Sequence, residues 1–173
     1  MLRDAFLKLI ESPTQENYLR IRQMILDDET YQPYSQDLSD IGDLVEKGEY
    51  QKAQDTLAAG MPNLLLSPRA HIFLSIIARE SGSEDGSKME GHVACACADG
   101  IMATGDGSEE KPYIVVRTSD EYDLLEYLDL EMQGQRLTHK DAKHYDVLTP
   151  KDGKEVWFDI TAAYEKMGGE MEQ

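Results

Sequence analysis

The spacing of apolar residues changes its period partway along the chain, and this change constrains the fold more than any other feature of the sequence. In the first part, apolar residues recur every three or four positions, as Tyr18, Ile21 and Ile25 do, which predicts amphipathic helices. In the second part, short runs rich in aromatic and β-branched residues alternate with turn residues, which predicts strands. We therefore predict an α+β fold, with a helical-hairpin region at 1–104 and a small α+β unit at 105–173 that shares its core.

Residues that cap helices divide the first region into hairpins. Serine followed by proline begins a helix twice, because the serine side chain can cap the first turn and proline fits the first helical position. Glycine ends a helix twice. Short turns between the resulting four helices favour antiparallel hairpins. Two helices are expected to begin at Ser12 with Pro13 and at Ser67 with Pro68. Another is expected to run from about Gln36 to Lys47 and to end at Gly48, and the one after it to end at Gly60.

The segment HVACACA, residues 92–98, is compatible with a helix or with a small buried strand. We favour the helix, because the apolar residues from Met89 to Ile101 recur every four positions. In a helix Cys95 and Cys97 point in different directions, and with His92 they do not match a zinc-site spacing. We therefore interpret both cysteines as buried thiols and expect no metal there.

The loop GDGSEEKP, which begins at Gly105, combines glycines and carboxylates in a way that could bind a ligand. From Gly100 to Gly105 the glycines are spaced as in a phosphate-binding loop, but Asp106 stands where a lysine should bind phosphate. A calcium loop of the EF-hand type that starts at Asp106 would need a carboxylate where Arg117 stands. We interpret the loop as a connector with Gly105 as a left-handed helix cap, and keep a weak cation site as the alternative.

The second region is expected to contain a small antiparallel sheet with one packed helix. YIVVRT, which starts at Tyr113, predicts an edge strand, and Thr118 is expected to cap the helix that follows. QRLTH, HYDVLT and KEVWFDI predict further strands, the last two joined by a turn around Gly153. A short helix at 162–167 is expected to close the fold.

The segment KGEYQKA, Lys47 to Ala53, resembles the turn between the two helices of a tetratricopeptide repeat. A glycine at the turn, an aromatic residue two positions later and an alanine three positions further match that motif. The preceding helix carries Asp37 and Ile41 where the repeat has an aromatic residue and a glycine, and no second copy follows. The resemblance therefore implies one repeat-like hairpin rather than an array.

A longer stretch is similar to a bacterial family of uncharacterised domains numbered 4919. The similarity lies in ATGDGSEEKPYIVVRTSDEYDLLEYLDLE, followed by GQRL and HYDVL. It implies a helical first half, a GDG turn, a strand and an acidic helix, over most of residues 1–160. Because the family has no assigned function, the resemblance implies no activity and no catalytic residues.

Acidic residues outnumber basic ones by 34 to 17, which gives a net charge of −17. This charge repels phosphate backbones and anionic lipid surfaces, so we expect neither nucleic-acid nor membrane binding. With no run of about 20 apolar residues and no disulfide scaffold, we expect a cytoplasmic protein, although removal of a signal peptide would leave the same sequence. Residues 81–131 carry 13 acidic and three basic side chains. We interpret this acidic segment either as a solvated surface or as a docking face for a basic protein.

The helix expected after Thr118 carries most of the candidate partner-binding residues. We predict that its apolar side chains, Tyr122, Leu125 and Leu128, pack on the sheet, and that its acidic side chains from the second turn onward lie in solvent. The candidate partner-binding carboxylates are Asp120, Asp123, Glu126 and Asp129.

Basic residues of the strands that follow decide whether this acidic face is free. We expect Arg136, Lys140 and Lys143 to neutralise part of it. If they pair elsewhere, the face is open to a basic partner.

His139 and His144 complete the candidate site residues. They lie near Asp141 and Asp146 in the sequence, so they could form an acid–base pair or a metal site if their strands face each other. We favour the alternative, a solvated turn. The sequence shows no serine–histidine–aspartate arrangement, paired-cysteine motif or nucleotide loop, so we expect no catalytic residue, no cofactor and no metal.

Three functions fit these features. We favour a non-catalytic protein-interaction module that presents an apolar or tyrosine-lined groove to a peptide or helix. The second is an acidic immunity or inhibitor protein that binds a basic partner with a steep dependence on salt. The third is a metal-dependent enzyme centred on His139 and His144, which needs a pocket at those residues.

Overall fold

The computed structural model describes the backbone of residues 1–171 and the side chains of residues 1–168. In that part of the chain, six helices precede a four-stranded sheet, and two more helices accompany the strands. The α+β class is therefore confirmed. None of the helices described has the length and apolar composition that a membrane span requires. The elements are α1 Leu2–Glu11, α2 Gln15–Leu26, α3 Asp37–Glu46, α4 Tyr50–Ala59, α5 Pro68–Glu80, α6 Glu84–Met102, β1 Tyr113–Ile114, α7 Ser119–Tyr127, β2 Met132–Lys140, β3 Lys143–Pro150, β4 Val156–Asp159 and α8 Thr161–Met171.

The sheet has the strand order β1-β4-β3-β2. β2 pairs with β3, and β3 with β4, in antiparallel register, as the sequence predicts. β1 instead runs parallel to β4, with Tyr113 opposite Phe158, so the sheet is mixed. β1 is an edge strand as expected, but it is only two residues long. The chain leaves the sheet after it and buries Val115 and Val116 in the core.

Two helix starts show how capping sets the boundaries. Ser67 caps α5 as expected, because its hydroxyl accepts a hydrogen bond from a backbone N–H of the first turn. The cap expected at Ser12 is wrong. Thr14 caps α2 in its place. The residues before it form α1, a helix that our prediction does not include.

Two hydrophobic clusters hold the elements together. The larger cluster joins α1, α2 and α6 to α7, β3 and β4, and its fully buried members include Leu9, Ile101 and Phe158. The smaller cluster joins α3, α4 and α5, and Ala53 of α4 is fully buried in it. Each large apolar side chain buried in this way contributes about 1.5 to 3 kcal/mol to stability. The larger cluster draws its residues from both sides of position 105.

The segment 92–98 lies within α6, so its helical interpretation is confirmed. Its two cysteines have different surroundings, because Cys97 is buried and Cys95 is exposed. The expectation that both thiols are buried is therefore wrong for Cys95. Burial raises the pKa of the Cys97 thiol, which leaves Cys95 as the thiol that reagents can reach.

The loop after α6 forms a tight turn, but Gly105 acts differently from what we expected. The residue with a left-handed backbone is Gly107, with a φ of 75°, so the left-handed cap expected at Gly105 is wrong. Gly105 is needed because a Cβ atom there would lie only 2.5 Å from the carbonyl oxygen of Pro112. Asp106 stabilises the turn by accepting a hydrogen bond from the N–H of Ser108 at 3.0 Å.

Candidate functional site

The packing of the acidic helix α7 decides which of its carboxylates can meet a partner. It lies against α5 and α6, and Tyr122 donates a hydrogen bond to Gln135 of β2. Glu126 and Asp129 are exposed, as predicted. The prediction that Asp123 lies in solvent is wrong, since only 5% of it is exposed. The sequence of α7 alone places Asp123 on the polar side of the helix, but in the fold α5 packs over that residue.

Asp120 is fully buried and holds the start of α7. Its Oδ2 accepts a hydrogen bond from the backbone N–H of Arg117 at 3.0 Å, two residues before the helix. Thr118, the expected cap, makes no side-chain cap bond. Arg117 is also buried and donates to the carbonyl oxygens of Gln32 and Ser35, each at 3.2 Å. These bonds tie the loop between α2 and α3 to α7. Burial raises the pKa of Asp120 to about 7, although the Arg117 guanidinium opposes the shift.

Glu121 is a second buried carboxyl group of α7, and its pKa is raised the most. It is fully buried, and neither of its carboxyl oxygens accepts a hydrogen bond from a donor in the described chain. Burial raises the pKa of Glu121 to about 10, and the adjacent carboxyl group of Asp146 adds to this effect. Asp146 is 7% exposed and accepts a hydrogen bond from Nε2 of Gln135 at 3.0 Å. At neutral pH Glu121 therefore holds a proton that it shares with Asp146.

Asp146 opens onto a cleft of about 260 Å³, which we call the tyrosine cleft. Its walls come from the loop before α3, from α7, from the sheet and from α8, so distant parts of the sequence build it. Aromatic and apolar side chains make up most of these walls, and the carboxylate of Asp146 is the acidic group among them. The tyrosine cleft is lined by Tyr34, Tyr122, Tyr164, Leu137 and Ile160 together with Asp146.

A larger depression, which we call the helical groove, lies between α5, α6 and α7 and encloses about 600 Å³. Its walls carry apolar side chains that stay in contact with water, since Ile72 is 45% and Tyr127 is 44% exposed. Cys95, the exposed thiol, also lines it. Other side chains of the helical groove are Arg69, Phe73, Ile76, Asp123 and Glu126.

Two of the candidate partner-binding residues, Asp123 and Glu126, thus lie in the helical groove. Asp123 forms an ion pair with Arg69 of α5. Burial raises the pKa of Asp123 to about 6, while Arg69 opposes the shift. Glu126 is exposed and has no ion-pair partner among the side chains of residues 1–168. The groove therefore combines a neutralised inner pair with a free carboxylate at its edge, and its other cation, Arg79, is paired with Glu80.

The three cations that we expected to neutralise α7 pair elsewhere, so that expectation is wrong. Two of them bind acidic residues that flank the sheet, and the third binds a residue of β4. The exposed carboxylates Glu126 and Asp129 are consequently not compensated by β2 or β3. The observed pairs are Arg136 with Glu155, Lys140 with Glu109, and Lys143 with Asp159.

His139 and His144 face each other directly across β2 and β3, and their ring centroids lie 4.7 Å apart. The ring of His144 also stacks on Tyr164 of α8, at 3.7 Å between centroids. Within the described residues, no group of three or more histidine, cysteine, aspartate or glutamate side chains converges to hold a metal ion. The two histidines adjoin the tyrosine cleft through Tyr164.

Comparison with protein-family models, curated proteins and solved structures finds no match. Membership of the family numbered 4919 and the tetratricopeptide-like character of α3 and α4 stay predictions. The function is therefore argued from the helical groove.

Sequence reasoning missed Arg117 and Glu121 as functional candidates, and it considered Asp146 only as a possible acid–base or metal partner of the two histidines. Carboxylates at the start of a helix ordinarily face water and the positive end of the helix dipole, so nothing local marks Glu121 as buried. The one available signal was Arg117, which directly follows the apolar run that ends in Val116. A charged residue at the end of a buried run often needs partners from elsewhere in the fold.

Proposed function

We propose that this protein is a non-catalytic protein–protein interaction module whose helical groove binds an amphipathic helix that carries basic residues at one edge. The observation that carries this proposal is the groove itself, in which Ile72 and Tyr127 remain about half exposed. Large apolar side chains that are clustered in a concave surface are typical of binding sites.

The shape of the groove favours a helical ligand. Its walls are three helices, α5, α6 and α7, and a groove between helices accepts the apolar face of another helix through residues spaced by three and four positions. Each large apolar side chain that such a helix buries contributes about 1.5 to 3 kcal/mol before the costs of association.

The charge of the groove favours basic residues on the ligand. The two arginines of the groove are already paired, Arg69 with Asp123 and Arg79 with Glu80. Glu126 is exposed at the edge. The cations of β2 and β3 are paired with other acidic residues, and the chain has a net charge of −17. A lysine or arginine at the edge of the partner helix would meet Glu126.

An acidic inhibitor of a basic protein is a second candidate. It is favoured by the exposure of Glu126 and Asp129, which the cations of the strands leave uncompensated. The two candidates respond differently to salt. Groove binding rests on apolar contacts and depends modestly on salt, whereas an inhibitor that docks through charge would lose affinity steeply as salt screens its carboxylates.

Cys95 allows a direct test of the groove. The chain has two cysteines, and Cys97 is buried, so a benzophenone maleimide attaches to Cys95 and places a photoreactive group in the groove. After irradiation with an extract of the native host, we expect a cross-link to an amphipathic helical segment with basic residues, mapped by mass spectrometry. A synthetic peptide of that segment should then bind the purified protein.

Two matched variants decide whether the groove is responsible. Ile72→Asp should weaken binding of the peptide by at least about tenfold, because it puts a charge against the apolar face of the helix. Leu7→Asp on α1 is the control, since Leu7 is equally exposed, at 48%, but lies outside the groove. Unchanged binding to Ile72→Asp, or equal loss in both variants, would contradict the proposal.

A further inference from the structure

His139 and His144 form a cross-strand pair of imidazole rings near the end of the β2–β3 hairpin. They are directly opposite each other, and the next pair, Lys140 with Lys143, closes the hairpin. The backbone N–H and carbonyl groups of His144 bond to Thr161 and Ile160, so they point away from β2. The two histidines are therefore a non-hydrogen-bonded pair, the kind in which opposite side chains approach each other most closely.

The separation of the two rings is the one that a shared metal ion requires. When two imidazole nitrogens bind one ion at about 2.0–2.1 Å, with an angle of about 90–110° at the metal, the ring centroids lie about 4.5–5.2 Å apart. The centroids of His139 and His144 are 4.7 Å apart. The backbone register thus places the rings at chelating distance without any movement of the strands.

The ring nitrogens of this pair are available to a ligand. In the described part of the chain, hydrogen bonds to histidine ring nitrogens occur only at His71, which contacts Glu90 at 2.8 Å and the carbonyl oxygen of Leu65 at 3.0 Å. The ring of His144 is held by its stack on Tyr164, whereas His139 is exposed and can rotate its ring toward a bound ion. A ligand that is held in place lowers the entropy cost of binding.

The charges around the pair do not oppose a cation. Lys140 and Lys143 are the neighbours of the histidines along the strands, so their side chains point to the opposite face of the sheet. Each is paired with a carboxylate, Lys140 with Glu109 and Lys143 with Asp159. The chain as a whole has a net charge of −17, which attracts cations.

We propose that His139 and His144 chelate one divalent transition-metal ion of the Zn²⁺, Ni²⁺ and Cu²⁺ class, each through one ring nitrogen. Imidazole suits these ions, whereas Mg²⁺ and Ca²⁺ prefer oxygen ligands. The described residues form no cluster of three or more metal-binding side chains, so water completes the coordination. The ion bridges β2 and β3, and the site is separate from the helical groove and does not depend on the function proposed for it.

Isothermal titration calorimetry at about pH 7.5 tests the site with ZnCl₂ and NiCl₂, and with MgCl₂ as the control that prefers oxygen ligands. We expect one Zn²⁺ or Ni²⁺ ion per chain and at least about tenfold weaker binding of Mg²⁺. Binding should weaken at about pH 5.5, because protons compete with the metal for the ring nitrogens. Absence of binding by both transition metals, or equally tight binding of Mg²⁺, would overturn the proposal.

Two variants remove one ligand each. His139→Asn and His144→Phe should each weaken Zn²⁺ binding by about tenfold or more, because a single imidazole cannot chelate. His139 is exposed, and His144→Phe keeps an aromatic ring against Tyr164, so both variants are expected to fold. Loss of binding in only one of the two variants would refute the pair.

Two matched controls lie on α6. His92 is also exposed, and Cys95, the exposed thiol, follows it by three positions on the same helix, so these two side chains are the alternative site for a soft metal ion. His92→Asn and Cys95→Ser should leave Zn²⁺ binding unchanged. Weakening by either control as large as that by His139→Asn would assign the ion to α6 and refute the proposal.

Pulsed electron paramagnetic resonance of bound Cu²⁺ counts the imidazole ligands directly. Cys95→Ser is the protein used, because an exposed thiol reduces Cu²⁺. We expect two imidazole nitrogens on the ion in this protein and one after His139→Asn is added. A signal from a single imidazole in the protein that keeps both histidines would contradict the chelate.

Discussion

Three carboxyl groups in the first turns of α7, those of Asp120, Glu121 and Asp123, are shielded from water. Their pKa values rise to about 7, about 10 and about 6, and burial is the largest cause in each case. The unfolded chain binds these protons only below about pH 4. The folded protein therefore holds more protons than the unfolded chain across the neutral range, which links its stability to pH.

The sign of this link follows from proton counting. Because the folded state binds more protons between about pH 4 and the raised pKa values, the free energy of unfolding falls as the pH rises through that window. The fall in unfolding free energy that Asp123 and Asp120 cause ends near pH 6 and pH 7. The fall that Glu121 causes continues to about pH 10. Carboxylates with a lowered pKa, such as Asp106, titrate below this window.

We predict that Glu121→Gln makes stability less dependent on pH. The variant removes one group from the link, so the slope of the unfolding free energy between about pH 5 and 8 should become less negative by at most about 1.4 kcal/mol per pH unit. Urea unfolding at several pH values measures the slope. Glu126→Gln should leave it unchanged, and an identical slope in wild type and Glu121→Gln would show that Glu121 ionises normally in the folded protein.

At the scale of elements, the loop between α6 and β1 shows how a motif that suggests a ligand can be explained by backbone geometry. The carbonyl oxygen of Lys111 accepts hydrogen bonds from the N–H groups of Asp106 and Gly107, at 2.9 and 3.1 Å. The chain therefore doubles back on itself, and Gly105 lies against the backbone of Pro112 with no room for a side chain. The glycines serve the turn.

We predict that Gly105→Ala and Asp106→Ala differ in effect. The new methyl group at Gly105 would meet backbone atoms that cannot move aside locally, so the variant should lose about 1 to 3 kcal/mol of stability. Asp106 is exposed and closes only a local turn, so its replacement should cost at most about 1 kcal/mol. Thermal unfolding with and without calcium measures both. A rise in melting temperature with calcium that Asp106→Ala abolishes would favour a cation site instead.

The helical hairpins and the sheet meet in the larger hydrophobic cluster. α1, α2 and α6 contribute Leu9, Ile25 and Ile101, and β4 contributes Phe158 to the same contacts. α5 connects this cluster to the smaller one, since it packs on α6 and also on α3 and α4. Separation of the region before residue 105 from the rest would expose the faces that these residues share.

We predict that the helices and the sheet unfold together. The single tryptophan, Trp157, lies on β4 and is 8% exposed, so its fluorescence reports the sheet, while circular dichroism in the far ultraviolet reports mainly the helices. Because the larger cluster spans both, the two signals should give the same urea midpoint within error. Midpoints that differ clearly would show that the helices and the sheet are separate folding units.

Local sequence patterns were enough to predict the types of the elements and most of their positions. Hydrophobic period and turn chemistry are local properties, so Ile21 and Ile25 mark the buried face of α2, and Gly153, with a φ of 80°, marks the turn before β4. Local signals failed where two residues could do the same task. Ser12 and Thr14 can both cap a helix, and Thr14 does so because α1 occupies the residues before Ser12.

Which polar side chains are buried depends instead on how the elements pack together. Asp123 and Glu126 are neighbours on one side of α7, yet Arg69 of α5 covers Asp123 and leaves Glu126 in water. Glu121 meets Asp146, a residue of β3 that is remote in sequence. Burial depends on which surfaces pack together, and the pattern along one helix does not contain that information. The helical groove and the tyrosine cleft arise from such contacts between distant elements, which is why their residues could not be assigned before the fold was known.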